Sequence, residues 1–249
     1  MQVLGIDVGG TGIKGAPVDT AAGVLLEPRL RLPTPFKAKP GAVAKTIAMI
    51  TQNFAWNGPI GVGFPGVAIG GIIHTAANVH PSWIGMHAAQ LFSENTGCPV
   101  HVLNDADAAG MAEMTFGTGK GVKGVVLLVT IGTGLGTVMF TDGHLVPNTE
   151  FGHIEIDGFD AEQRASDAAR KREKLSWKKW GKRFNKYLCT VEKLTWPELI
   201  ILGGGLIKQK DKFFPYLTVH ANVLPAQFGN DAGIVGAALA ARGALQGKE

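Results

Sequence analysis

Residues 4–14, Leu-Gly-Ile-Asp-Val-Gly-Gly-Thr-Gly-Ile-Lys, begin as an apolar strand and break into a glycine turn just after Asp7. The same design returns at 125–136 and at 199–205, where apolar runs enter Gly132-Thr133-Gly134 and Gly203-Gly204-Gly205. Apolar strands that end in glycine turns before hairpins or helices indicate an α/β protein that binds ligands at its strand ends. Gly9, Gly10 and Gly12 let backbone N–H groups approach an anion closely. Thr11 adds a hydroxyl and Lys14 a positive charge, while the Asp7 carboxylate can organise a magnesium ion. An ordinary glycine-rich hairpin fits the first segment alone, and the recurrence argues against it.

Strands are expected at Val3–Val8, Ile13–Val18, Val24–Leu32, Ile60–Gly63, Val100–Leu103, Val125–Ile131 and Leu199–Leu202, with helices at Ala42–Phe54 and Ala106–Phe116. The two blocks starting at Val3 and Val125 suggest an internal duplication around a cleft. The 249 residues suffice for two lobes, and a 45% hydrophobic content supports a real core. No apolar stretch is long enough for a membrane span, and no secretory signal is read at the N-terminus. Cys98 and Cys189 stand far apart without metal-like spacing, which suits two reduced thiols in the cytoplasm.

Together these segments resemble the ROK family of sugar kinases, within the actin-like ATPase superfamily, along nearly the whole chain. The resemblance implies a two-lobed, duplicated RNase H-like fold with an interlobe cleft. The lobes are expected at 1–104 and 105–230, with a helix at about 231–246 packing back on the first. Asp7–Lys14 resembles the first phosphate loop of the family, Gly132–Gly136 the second, and Gly203–Gly205 the adenosine-side glycines. Asn104-Asp105 stands where these kinases place a sugar-binding asparagine and the catalytic base. On local sequence Asp105 reads equally as the cap of the following helix, and Asp107 is a second candidate base. Glu150-Phe-Gly-His153 matches the Glu-x-Gly-His segment that holds sugar hydroxyls, and Glu162 with Ser166 matches Glu-x-x-x-Ser. Asn78 resembles the sugar-loop asparagine and equally a turn residue. Many family members build a zinc site from a histidine like His153 and a cysteine cluster. This chain has no cysteine between Cys98 and Cys189, so no zinc is expected.

Where the cysteine cluster would stand, residues 164–193 carry 11 Lys/Arg against 3 Asp/Glu. The rest of the chain, with 13 basic and 17 acidic residues, is mildly acidic. On a helix, Trp177, Trp180, Phe184, Tyr187 and Leu188 form one apolar stripe, while Lys178, Lys179, Lys182, Arg183 and Lys186 form the opposite face. The stripe is read as core. The basic face fits a polyphosphate track, a solvated surface or a nucleic-acid patch, in that order. Its setting resembles the zinc-free polyphosphate glucokinase branch of the family.

That resemblance implies transfer of a phosphoryl group from polyphosphate, and from ATP, to the 6-hydroxyl of glucose, with mannose left open as acceptor. Magnesium would assist. Asp105 would be the base; Asn78, Asn104, Glu150, His153 and Glu162 would hold the sugar; the glycine loops would hold the donor. A homodimer is also implied, with no nucleic-acid or membrane partner. The alternatives are an ATP-only hexose kinase and, more distantly, a sugar-responsive regulator. For the latter, the first loop begins too close to Met1 to leave room for a helix-turn-helix.

Overall fold

The computed structural model describes residues 1–77 and 79–246. In chain order the elements are β1 (Gln2–Val8), β2 (Gly12–Asp19), β3 (Val24–Leu25), β4 (Leu30–Pro33), α1 (Pro40–Asn53), β5 (Ile60–Phe64), β6 (Ala68–Ile69), β7 (Ile72–Ile73), α2 (Ala88–Thr96), β8 (Val100–Asn104) and α3 (Asp105–Phe116). They continue with β9 (Val125–Ile131), β10 (Leu135–Thr141), β11 (His144–Val146), β12 (Glu155–Ile156), β13 (Phe159–Asp160), α4 (Ala161–Ala165), α5 (Asp167–Arg172), α6 (Trp177–Thr195), β14 (Leu199–Gly203), β15 (Asn222–Pro225) and α7 (Ala232–Gln246).

The chain packs as two units, residues 1–112 with the chain from Asp231 onward, and residues 113–230. The division falls inside α3, eight residues beyond the expected border before Asp105. The first unit therefore keeps the start of that helix.

The duplication is visible in the strand orders. In the first unit the order is β3-β2-β1-β5-β8, with β4 also pairing β2; in the second it is β11-β10-β9-β14-β15. Each sheet opens with an antiparallel hairpin, β1–β2 or β9–β10, whose first strand runs parallel to the later strands. The first and second glycine loops are the tips of these hairpins. The expected third strand is two short strands: Leu26 still donates its N–H to the Pro17 carbonyl at 2.9 Å, but Pro28 lacks an N–H and residues 27–29 fall outside the strands.

Parallel register brings the functional strand ends of the first unit to one edge. Asp7 lies opposite Gly63 across β1–β5, and Phe64 opposite Asn104 across β5–β8. One intervening strand puts the ends of β1 and β8 about 10 Å apart at the usual inter-strand spacing. In the second unit Gly203 is in register with Thr130, so the third glycine loop leaves the sheet beside the second.

Helix α7 is apolar nearly all round, and every residue from Ala232 to Ala241 is buried. It packs within the first unit against β1, β5 and β8, as a helix without a polar face must. In the second unit the aromatic stripe of α6 is core. Trp180, Phe184, Tyr187 and Leu188 are buried, with the Trp180 ring stacked on Phe184 and edge-on to Phe213. The Trp180 indole N–H donates to the Ala165 carbonyl at 3.0 Å, which ties α6 to α4.

Glu113 is the unexpected polar member of this interior. Its carboxylate, 0% exposed, accepts the backbone N–H groups of Thr118, Gln227 and Phe228 at 3.1, 2.8 and 2.7 Å. Replacing it with leucine leaves three backbone donors without that acceptor. Glu113→Leu is expected to cost about 3 kcal/mol or more, read as a lower denaturation midpoint by circular dichroism; an unchanged midpoint would contradict this bracing role.

Candidate active site

At the end of β8 it is Asn104 that reaches the first amides of α3. Asn104, 6% exposed, accepts the N–H groups of Ala106 and Asp107 through Oδ1 at 2.7 and 3.0 Å. It also donates from Nδ2 to the Gly66 carbonyl at 3.3 Å. Asn104 is thus the cap of α3. Asp105, at the first helical position, is half-buried at the strand edge, whereas Asp107 is only 2% exposed. Asp107 is therefore less accessible than Asp105.

Asp7 and Lys14 face each other across β1–β2, and their side chains form an ion pair at 2.8 Å. Lys14 neutralises Asp7 instead of standing alone as the cation of the first loop. Gly9 N–H donates to the Gly12 carbonyl at 3.1 Å, closing the turn and leaving Gly10 and Thr11 exposed at its tip.

The second unit carries its own constellation. The turn at Gly132 is closed by its N–H on the Gly134 carbonyl, and the Gly132 carbonyl accepts from Asp167 and Ala168 at the start of α5. Thr133 is exposed at the tip. Glu162 on α4 accepts the Leu135 N–H through Oε2 at 2.9 Å. A Cβ on residue 134 would lie 2.1 Å from that oxygen, so glycine is required for this approach. Ser166, four residues on, caps α5 by accepting the Ala169 N–H at 3.2 Å. The Glu-x-x-x-Ser spacing therefore sets two short helices against the second loop. The third loop bends at Gly204, with φ of 81°.

Glu150 is held from both sides by Thr137, a residue sequence reasoning did not single out. The Thr137 hydroxyl donates to the Thr149 carbonyl and accepts the Phe151 N–H. Glu150 keeps exposed surface yet sits low among surrounding protein. Loss of water pushes its carboxyl up from the usual range; His153 opposes this and Glu162 adds to it. His153 Nδ1 lies 2.9 Å from Asp160 Oδ2. Burial pulls the imidazole down, but the hydrogen bond to Asp160 and the charges of Glu162, Asp160 and Glu150 outweigh it, and the net shift is upward. Because the folded value is raised, the stability His153 contributes is fully present below its unfolded value, about 6.5, and is lost as pH rises through the folded value. Asp160→Asn is expected to lower the His153 titration midpoint in an NMR pH series; an unmoved midpoint would contradict the pairing.

The basic face is narrower than expected. Arg183 donates to Glu173 at 2.8 Å and to the Arg164 carbonyl at 3.1 Å, and Lys186 pairs with Asp157. Lys178, Lys179 and Lys182 are exposed and form no ion pair among the described residues. Asn78 lies outside the described residues. Among those described, no group of three or more His, Cys, Asp or Glu could hold a metal ion, and no helix is long and apolar enough to cross a membrane.

Residues 3–172, which include both hairpin loops, the Asn104-Asp105 edge and the Glu150–Ser166 segment, match the ROK family profile. The chain belongs to the ROK family. It is 48% identical to a polyphosphate glucokinase of Mycobacterium tuberculosis, over 95% of this chain and 90% of that protein. The crystal structure of an inorganic polyphosphate/ATP-glucomannokinase from Arthrobacter sp. strain KM is 47% identical, with a TM-score of 0.95 and coverage of 98% and 99% of the two chains. A ROK family glucokinase from Streptomyces griseus, solved with glucose and AMPPNP, is 25% identical with a TM-score of 0.81, covering 98% of this chain and 100% of that one. This ROK chain has the two-lobed actin-like ATPase fold expected from its sequence.

Proposed function

We propose that this ROK protein is a polyphosphate glucokinase that also accepts ATP, moving a terminal phosphoryl group to the 6-hydroxyl of glucose. The observation that carries the reading is a reachable carboxylate, Asp105, at the strand edge that also bears Asp7 and the first loop, in a chain 48% identical to a polyphosphate glucokinase. Mannose as a second acceptor rests on the glucomannokinase likeness.

Asp105 takes the proton from the sugar hydroxyl as its oxygen forms the new O–P bond. The bond to the bridging oxygen breaks, and a polyphosphate shorter by one unit, or ADP, leaves with the electron pair. Asn104 fixes Asp105 by capping α3 and contacts the sugar through Nδ2. Glu150, His153 and Glu162 hold sugar hydroxyls, and Asn78 is the further sugar contact. Gly9, Gly10, Thr11, Gly12, Gly132, Thr133 and Gly134 offer donors to the phosphates, and Gly203–Gly205 leave room for adenosine. Lys178, Lys179 and Lys182 carry the long donor, with Lys186 joining by exchange from its exposed ion pair.

Asp7 fits magnesium, which needs only one or two carboxylates besides phosphate and water; Lys14 holds one of its oxygens in place. When bound, the ion neutralises donor charge during transfer. Work in the cytoplasm as a homodimer completes this reading.

Chelation is expected to abolish turnover and added magnesium to restore it, with metal analysis of the active protein finding no stoichiometric zinc. Activity that survives chelation, or stoichiometric zinc, would contradict this part. The activity itself is tested by phosphorus NMR of the protein with glucose, magnesium and polyphosphate. Glucose 6-phosphate without nucleotide is the expected product, and its absence would reject the polyphosphate reading.

A further inference from the structure

We propose that Arg31 is the donor-phosphate cation of the first glycine loop, an inference that rests on the kinase reading above. Strand β4 lies antiparallel to β2 with Arg31 opposite Lys14 and Pro33 opposite Gly12, so it runs alongside the loop. Arg31 Nη2 donates to the Thr11 carbonyl at 2.9 Å, and the Thr11 hydroxyl lies 3.5 Å from the same nitrogen. Thr34, just past the strand, donates to the Gly9 carbonyl. β4 therefore pins both arms of the turn.

The guanidinium also lies over Gly12. A Cβ there would stand 2.5 Å from Nε, 2.6 Å from Cζ and 2.7 Å from Nη2. Glycine at this position does more than permit the turn, because any side chain would displace the arginine.

Charge bookkeeping at the loop singles out the same residue. Lys14 is bound to Asp7, and neighbouring Arg29 is paired with Asp231. Arg31 is exposed and has no carboxylate partner, and its Nε and Nη1 make no hydrogen bond among the described residues. One nitrogen holds the loop while the rest of the fork remains for a phosphate, the geometry in which arginine surpasses lysine. Since both donors deliver a terminal phosphoryl group, Arg31 serves both, unlike the lysines of α6.

The test compares Arg31→Gln and Arg31→Lys with the unchanged protein. Glutamine can still donate to the Thr11 carbonyl but carries no charge; lysine keeps the charge without the fork. Arg31→Gln is expected to lower kcat/KM about 10- to 100-fold with ATP and with polyphosphate alike, as loss of a charged hydrogen bond does. Tripolyphosphate binding by calorimetry should weaken in parallel, while glucose affinity and the unfolding temperature stay unchanged. Arg31→Lys should recover part of the loss and supplies the answer if the glutamine variant does not fold. Full activity of either variant with both donors would overturn the proposal. So would a loss accompanied by weaker glucose binding or a lower unfolding temperature, which would make Arg31 only a brace. If the unchanged protein uses ATP alone, the polyphosphate reading fails, and the ATP arm still decides the role of Arg31.

Discussion

Asp105→Asn is expected to lower turnover by about 10²-fold or more, in the range of a general base, while glucose still binds. The variant keeps the side chain's size and its place at the first residue of α3, and removes the group that accepts the hydroxyl proton. The helix start should survive, because Asn104 Oδ1 accepts the Ala106 and Asp107 amides at that end of α3. kcat and kcat/KM should therefore fall together, the signature of an interaction lost in the transition state. Rapid turnover by a folded Asp105→Asn protein would remove the base from the mechanism. Asp107→Asn, at a buried position, should act on stability and leave the kinetic pattern of the base intact.

The second large effect concerns the donor. Neutralising Lys178, Lys179 and Lys182 to glutamine is expected to weaken use of long polyphosphate by about tenfold or more, and ATP use little. Three lost phosphate contacts remove the counterion release that each supplies, and at moderate salt this amounts to one or more decades in affinity. A triphosphate is short enough for the glycine loops to hold without the track. Arg183 is left in place because it braces Glu173 and the Arg164 carbonyl; replacing it would mix a packing defect with a charge effect. KM values measured against polyphosphate of graded length should show the loss growing with length. Equal losses with both donors would indicate damage to α6, and no loss would leave the lysines as solvated surface.

The hairpins, their loops and the core face of α6 were legible because local chemistry determines them. A β-branched run entering Gly-Thr-Gly makes a strand and a turn whatever surrounds it, and β9 runs from Val125 to Ile131 as expected. A tryptophan-rich stripe at helical spacing packs inward for the same reason. What could not be read depends on register and distant partners. Asn104-Asp105 is ambiguous as a string, since either residue can cap a helix, and only the coordinates give the cap to Asn104. Lys14 looks like a free cation until β1–β2 register sets it against Asp7. Lys186 looks available until Asp157, 29 residues away, pairs with it. Arg31 was hidden because Val24–Leu32 read as one strand. Its alternation with Leu30 and Leu32 beyond Pro28 was the signal that could have separated β4 and drawn attention to its outward side chains. Thr137 and Glu113 act through backbone partners that no local pattern announces.

The central claim, that one phosphoryl-transfer site accepts polyphosphate through a cationic track and ATP without it, is tested most directly by initial rates of glucose 6-phosphate formation with each donor alone, as salt is raised. The expected result is turnover with both donors, with the rate at limiting polyphosphate falling steeply along log salt and the ATP rate changing much less. No sugar phosphate from polyphosphate at any salt concentration, or identical salt dependence for the two donors, would contradict it.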